Sequence, residues 1–568
     1  MGRWVVVCAA AAVAGACGDP AGTSPDAANA TDASLSDGAS VVEDGGMRDD
    51  AAPCDDTPFV PQPLVCAQSV PWAGYMADTG DIEEVFVVRM AGGPGDGLPA
   101  SGGHDTFATS RPTWGFSPDG GWMSFVARDG SLPWQVDVAP ITDEGPGELR
   151  RVSGPFKVDG NVTWYAWSPD GRKIAYAADQ AYDARELWVL DLAEDGYAQR
   201  VNPPLEFLGG VGPYEGEWPF AWSPDSTRLL YSGWLDDPDE VDLYVTDVSG
   251  PSPGPAVRLT DALDGDVRRY AWSPDGSAVS FEISSPSGGL YVARLSCDGV
   301  EGPWQVAGSG GFEKFAADGD TLLYLAPVEG GAEDEVAIHR ADLTVTPPVS
   351  SAVTESLVLS LPGQQHQWSP TGERLAIVSG RRLNVLDATT GLHHVVNPPL
   401  VPNGWVQSYA WSPDGDSIAY VANQDDYLRL ELYHVDMSGP APVRKRKVSP
   451  PVDHDIRVDS IRWSPDSARL AYRANQDVAT RTEIYAGARA GGVVAQPVKL
   501  NADLTRDGAE VFRFLWSPDS ARMLYTANDA AAFDLDAYVV SFDDAGEATL
   551  VGSGAQILEI EWAPCPAP

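Results

Sequence analysis

The heptapeptide YAWSPDG occurs three times, at 165–171, 270–276 and 409–415. A chain that spells one turn with the same flanks so often folds as a series of copies of one supersecondary unit. The unit is longer than seven residues. It reads NVTWYAWSPDGRKIAYAADQAYDARELWVLDLAEDG around Trp167, WVQSYAWSPDGDSIAYVANQDDYLRLELYHVDMSG around Trp411 and RVDSIRWSPDSARLAYRANQDVATRTEIYAGARAGG around Trp463. The aromatic position recurs at Phe116, Trp167, Trp222, Trp272, Phe315, Trp368, Trp411, Trp463 and Trp516, at intervals of 43 to 55 residues. A partial tenth copy begins at Trp562 in ILEIEWAPC.

Each piece of the unit has a physical role. Ser-Pro-Asp-Gly is a tight turn, with Pro fixing φ at the second position and Asp and Gly suiting the next two. Three copies carry Ser in place of Gly (Ser226, Ser467 and Ser520), so the last position does not always demand Gly. Short apolar segments such as YAW and IAY flank the turn, and ELWVLDL, DLYVTDV, ELYHVDM or DAYVVSF follows about ten residues on. These are β-branched and aromatic segments bounded by turn residues, which predicts strands. No stretch carries a long helical period. Three to four short strands in each unit, repeated nine or ten times, predict an all-β chain: a large β-propeller of about ten four-stranded blade units. A residue shared by every blade serves the fold, so the Trp and the Asp of the motif are assigned to architecture.

The pattern WSPDG, then IAY, then ELWVLDL or DLYVTDV resembles the repeat of TolB-type propellers, a WD-repeat-like Pro-Asp repeat. The resemblance covers about residues 67–568. It implies a propeller and says little about activity, because one fold hosts many functions. The chain departs from the TolB pattern in having ten blade units rather than six and no separate N-terminal α/β domain. The role of TolB in the Tol–Pal system is therefore not carried over.

The two ends of the repeat region complement one another. PWAGYMADTGDIEEVFVVRMAGG (71–93) aligns with the later strands of a blade and lacks the leading aromatic strand, while QILEIEWAPC is that strand with nothing after it. Together they predict one blade shared by the N- and C-terminal ends, a strand exchange that leaves no open sheet edge. Two tandem propellers are the alternative, with the break at the weakest units, around Phe315 and Trp368. A disulfide from Cys565 to Cys54 or Cys66 would staple the seam, worth roughly 5 kcal/mol in the chain-entropy model.

Charge and the N-terminus bound the setting. With 37 Lys and Arg against 82 Asp and Glu, the formal net charge is −45 and the isoelectric point near 4.2. Such a chain repels a nucleic-acid backbone and an anionic membrane surface. Residues 1–16, MGRWVVVCAAAAVAGA, have a minimal basic start and an apolar run too short to span a bilayer, which predicts a signal peptide. The following VAGAC resembles a lipobox, making Cys17 the expected lipidation site; the alternative is an ordinary signal peptide cut after Ala16. Residues 17–53 are built from Asp, Ala, Ser and Gly and cannot offset their ordering entropy, so they predict a disordered tether with a reach of roughly 30–35 Å. Residues 54–568 form the head. The expectation is an exported, outer-membrane-anchored envelope protein, periplasmic or surface-facing, held to the membrane through its lipid only and monomeric.

No catalytic machinery is visible. A prolyl-oligopeptidase-like enzyme needs a further α/β domain with a nucleophile elbow, and one blade with a closing strand follows Trp516. The string GPSPG at 250–254 matches G-x-S-x-G, but prolines on both sides of Ser252 cannot make a strand-to-helix elbow. Seven histidines are scattered, with His393 and His394 adjacent at a strand-to-strand position. No cysteine or histidine cluster has zinc spacing, and no cofactor is expected, with one weak metal candidate. WLDDPDEVD (234–242) gathers Asp236, Asp237, Asp239 and Asp242 in one oxygen-rich loop of the kind calcium prefers, though without EF-hand spacing. Tyr214 and Trp218 in VGPYEGEWPF, and Trp405 in VNPPLVPNGW, stand in long insertions outside the repeat positions. Long loops on a rigid scaffold present binding residues, and exposed Trp and Tyr anchor interfaces. The sequence thus points to a binding or scaffolding module for an envelope protein, with no enzyme activity. The rival is an enzyme (lyase or hydrolase) or lectin using the propeller channel on a carbohydrate or small molecule, which would need acid, base or metal residues converging from several blades.

Overall fold

A computed structural model describes residues 72–564, apart from 79–82, 90–97, 102–113, 129–132, 155, 157–159, 183, 194–196, 206–208, 213–218, 238, 297–298, 309–310, 317, 329, 332–334, 355–356, 359–365, 380, 530–533 and 554–555. All of these belong to one compact unit, 53–568. The signal segment, Cys17, the tether, Cys54, Cys66, Cys297 and Cys565 lie outside the described residues.

The described residues form ten antiparallel sheets and no helix. Blade 3 shows the pattern: strands Val162–Trp167, Lys173–Tyr182, Ala184–Asp191 and Gln199–Arg200 pair in chain order. In blades 2, 4, 6 and 9 a short extra strand makes a fifth. Blade 1 is composite. Its strands Trp72–Asp78, Glu83–Arg89 and Leu98–Pro99 come from the N-terminal end, and its first position is filled by Gln556–Trp562, whose Trp562 pairs with Ala73 and Gln556 with Asp78. The strand exchange read from the sequence is therefore present.

One ring, and not two, follows from the packing between sheets. Ten apolar clusters fill ten inter-blade gaps, each built from consecutive blades. Leu323, Leu325 and Ile338 of blade 6 pack with Trp368, Leu375 and Ile377 of blade 7, so the ring does not break at its weakest units. The last gap is closed by Leu524 and Val539 of blade 10 with Ala73, Ile560 and Trp562 of blade 1.

The repeated aromatic is a wedge with a polar handle. The indole N–H of Trp222 donates to the Ala166 carbonyl at 3.3 Å, that of Trp411 to Gln367 at 3.2 Å, that of Trp516 to Arg462 at 3.2 Å and that of Trp562 to Leu515 at 3.1 Å. Each acceptor lies one residue before the aromatic of the preceding blade, and Trp272 and Trp463 bond in the same way. First strands are thereby tied to first strands around the axis. Fourth strands are the outer edges, as the exposed and cationic Val443–Lys447 shows; charge on an edge discourages pairing with another chain.

The turn is equally regular. Ser168 Oγ donates to Asp170 Oδ1 at 2.6 Å and accepts from the Lys173 N–H at 2.9 Å, while Asp170 accepts from Arg172 N–H at 3.1 Å. The fourth position is left-handed in every copy, Ser included: φ is 73° at Gly171, 65° at Ser226, 61° at Ser467 and 62° at Ser520. Serine therefore does not relax the conformational demand. Its hydroxyl instead accepts the backbone N–H of the preceding blade's turn Asp: Ser226 from Asp170 at 3.0 Å, Ser467 from Asp414 at 2.9 Å and Ser520 from Asp466 at 3.0 Å. A left-handed non-glycine residue costs roughly 1–2 kcal/mol, and a hydrogen bond returns about 0.5–1.5 kcal/mol. Ser467→Gly is accordingly expected to unfold within about 1 kcal/mol of the wild type. Ser467→Ala, which keeps the strain and orphans the Asp414 N–H, is expected to lose about 1–2 kcal/mol. Urea unfolding of the two variants checks the order; equal losses would contradict the inter-blade role of the hydroxyl.

Candidate functional site

Antiparallel pairing sorts the loops onto two faces. The Ser-Pro-Asp turns and the loops between third and fourth strands lie on one face. The loops between second and third strands, and the connectors from each blade to the next, lie on the other. Of the sequence candidates, Trp405 and the acidic residues Asp236, Asp237, Asp239 and Asp242 fall on this connector face. Tyr214 and Trp218 lie outside the described residues.

Trp405 is 42 % exposed at the entry to blade 8. Tyr427 and Leu428, which sequence reading passed over, are 58 % and 52 % exposed in the neighbouring loop of the same blade. Their backbone is pinned. The buried Asn423 donates its N–H to the Trp405 carbonyl at 3.1 Å and its side-chain amide to the Tyr427 carbonyl at 2.8 Å. Asp426 accepts the Leu428 N–H at 3.0 Å, and Arg381 Nε donates to the Gly404 carbonyl at 2.7 Å. Three large apolar side chains thus stand in solvent on loops that are held. Asn475 plays the same part in blade 9, donating to the Ala479 carbonyl at 3.1 Å below a half-exposed Val478. The signal in the sequence is the Ala-Asn that ends these second strands.

The acidic loop is organised differently. Arg258, from the fourth strand of blade 4 (Val257–Arg258), stands 2.8 Å from Asp242 Oδ1, 3.9 Å from Asp236 Oδ2 and 3.9 Å from Glu240 Oε2. Thr260 donates to Asp242 at 2.6 Å and Tyr244 to Asp236 at 3.0 Å. Burial pushes the Asp242 carboxyl up, against the pull of Thr260 and Arg258. Asp237 accepts the Asp239 N–H at 2.9 Å. The same acid on the third strand meets a cation on the fourth in other blades: Asp137 with Arg151 at 3.0 Å, Glu186 with Arg200 at 3.0 Å and Glu431 with Lys447 at 2.5 Å. Asp242 therefore belongs to a pair that the fold repeats. Among the described residues no group of three or more His, Cys, Asp or Glu is placed to hold a metal ion.

GPSPG is part of the loop between the third and fourth strands of blade 4, where the Gly254 N–H donates to the Asp247 carbonyl at 2.8 Å. It is a hairpin connection, with no helix behind it. A Ser–His contact does occur elsewhere: Ser417 Oγ and His434 Nε2 are 3.1 Å apart. Both are buried, and Arg489 donates to the same hydroxyl at 3.1 Å. Burial, with the neighbouring Arg489, holds the imidazole down at about 4.

The first strands line the axial channel, and they are only partly buried, unlike the second and third strands. Two carboxylates stand on the closing strand. Glu559 accepts the Trp114 indole N–H at 3.0 Å. Glu561, two residues on and so on the same face, lies against Gly115 and is pushed up to about 7 by burial and by Glu559. Both face blade 2, where Tyr165 of blade 3 reaches Ser124 at 3.2 Å. The sequence carried no sign of this pair, because only ring closure brings the C-terminal strand against blade 2.

No family model matches the chain. Dipeptidyl-peptidase 5 of Porphyromonas gingivalis is 24% identical over 129 residues, 21% of this chain and 18% of that protein. A protein named uncharacterized peptidase YuxL of Bacillus subtilis is 28% identical over 195 residues, 32% of this chain and 27% of that one. The chain thus spans less than a third of either curated relative. Among solved structures, a eukaryotic initiation factor is 12% identical with a TM-score of 0.49, covering 88% of this chain and 100% of that one. An oligogalacturonate lyase in complex with manganese is 14% identical with a TM-score of 0.30, covering 56% and 87%. The WD40 domain of Sif2 is 14% identical with a TM-score of 0.32, covering 63% and 91%.

Proposed function

We propose that this chain is an exported, lipid-anchored envelope protein whose propeller head binds a protein partner on the connector face of blades 8 and 9. The observation that carries the reading is the exposure of Trp405, Tyr427 and Leu428 together on a backbone pinned by Asn423. Aromatic side chains held rigidly lose little entropy on binding and make strong interface anchors. Lipidation at Cys17 and a tether over 17–53 would hold the head away from the membrane, and the reading needs no cofactor. A photo-crosslinking amino acid at Trp405, compared with one at the exposed Tyr197 on the other face, tests it in cells. One discrete protein adduct is expected from position 405 and none from 197. Adducts from 197 alone would reverse the face, and none from either would count against a protein partner.

A second reading, catalysis or glycan binding in the channel, draws on the Glu559–Glu561 pair, since a carboxyl that keeps its proton near neutrality suits a general acid. The curated relatives named as peptidases match only a fraction of their lengths. The pinned aromatics favour binding on the connector face.

A further inference from the structure

The exposed anchors of the connector face stand beside carboxylates, and a run of contacts brings the two together. Asn423 bonds the Trp405 carbonyl at 3.1 Å and the Tyr427 carbonyl at 2.8 Å, joining the two loops of blade 8. Arg429, two residues after Tyr427, donates to the Val452 carbonyl at 3.1 Å, and the Leu430 N–H donates to the Ile456 carbonyl at 2.9 Å. The loop that carries Tyr427 and Leu428 is thereby laid against the connector into blade 9, which carries Asp453 and Asp455. Asn475 then donates to the Asp455 and Ala479 carbonyls at 3.2 and 3.1 Å, tying that connector to the loop of Asp477 and Val478.

Charge is arranged unequally on these loops. Asp453, Asp455 and Asp477 are exposed, and none of the three pairs with a described Arg or Lys. The neighbouring cations turn their donors toward backbone. Arg381 bonds the Gly404 and Val401 carbonyls at 2.7 and 2.9 Å, Arg429 bonds the Val452 carbonyl, and His454 Nε2 stands 2.7 Å from the Asn475 carbonyl. Asp425 and Asp426 are engaged within blade 8, accepting from the Tyr433 hydroxyl at 3.2 Å and the Leu428 N–H at 3.0 Å. Arg457 is the exposed cation of these loops and Arg481 is half-buried, so negative charge is in excess around the anchors.

We infer that the protein partner engaged here, on the binding face proposed above, presents a cationic segment in which Lys or Arg side chains alternate with apolar ones. Cations stack on exposed Trp and Tyr rings and pair with the carboxylates of Asp453, Asp455 and Asp477, while apolar side chains meet Leu428 and Val478. Charges farther away than about 8 Å are screened at physiological salt, so the local excess selects the partner more than the net −45 of the chain does. Complementary charge at the edge of an interface acts on the rate of encounter and on the choice of partner.

Panning a phage-displayed library of random dodecapeptides on the purified protein, followed by titration with the best peptide made synthetically, tests this. The enriched peptides are expected to carry net positive charge and to lose about ten-fold or more in affinity with Trp405→Ala/Tyr427→Ala. Raising NaCl from 50 to 300 mM is expected to weaken binding about five-fold. Asp453→Asn/Asp455→Asn/Asp477→Asn should weaken it about five-fold as well. Asp416→Asn/Asp543→Asn/Asp544→Asn removes the same charge from the opposite face and should change nothing. Asp453→Asn/Asp477→Asn, expected to weaken binding about three-fold, keeps the test open should the triple variant not fold. Peptides that need Trp405 and Tyr427 but are neutral or acidic, or are indifferent to the three Asp, overturn the cationic partner and leave the binding face standing. Peptides indifferent to the two aromatics, or no enrichment at all, count against both.

Discussion

Deleting residues 556–568 is expected to abolish the cooperative fold of the head. Blade 1 would lose its first strand and expose the edge Trp72–Asp78. Ile557, Ile560 and Trp562, all buried in the gap between blades 10 and 1, would leave with it. At about 1.5–3 kcal/mol for each buried side chain, this amounts to roughly 5–9 kcal/mol, comparable with the entire stability of a typical domain. The milder Trp562→Ala keeps the strand pairing and removes the wedge and its bond to the Leu515 carbonyl; about 3–5 kcal/mol is expected. Urea unfolding combined with limited proteolysis reads both. The first cuts should fall near blade 1. An unchanged midpoint after deletion would mean that the ring does not depend on its seam.

The second large effect concerns pH, where two groups act in opposite directions. Glu561 is raised to about 7 in the fold, first by burial and then by Glu559. Between pH 4.5 and 7 the unfolded chain has lost this proton while the fold keeps it, so stability falls as pH rises through that window. His434 is lowered to about 4, first by burial and then by Arg489, with Asp436 opposing. Its neutral form is needed in the fold, so its contribution is complete above pH 6.5 and is lost as pH falls toward 4. Each group is worth about 2–3 kcal/mol across its window, the Glu561 figure being reduced for partial solvent access. In the wild type the two slopes offset one another between pH 4.5 and 6.5. Glu561→Gln should be more stable than wild type by about 2 kcal/mol at pH 7.5 and equal to it at pH 4.5, giving a steeper acid loss. His434→Gln should instead gain stability on going from pH 7.5 to 4.5. Comparing the two pH values within each variant cancels any packing cost. Parallel pH profiles for all three proteins would contradict the burial of one group or the other.

Much of the fold was legible because the repeat encodes its own boundaries. The turn needs Ser and Asp side chains to bond its backbone, and the gap between blades needs one large aromatic, so both recur visibly. Even the copies at Phe315 and Trp368 kept enough of the pattern to be counted, and the closing strand was betrayed by its isolated Trp562. The functional surfaces were harder to read. Trp405 stood out because it lies in an insertion. Tyr427 did not, since NQDDYLRL reads as an ordinary polar loop and a tyrosine looks the same in sequence whether exposed or buried like Tyr420 and Tyr433. In the loop 234–242 the carboxylates were plain in the sequence but their partner was not, since Arg258 arrives from the next strand.

The most direct measurement is capture of envelope proteins by the head, comparing wild type with Trp405→Ala/Tyr427→Ala, each first shown to unfold at the same urea midpoint. The expected result is one protein retained by the wild type and reduced at least ten-fold by the double substitution, consistent with two aromatic anchors at about 1–2 kcal/mol each. Equal retention by both proteins would contradict a binding surface on the connector face of blades 8 and 9.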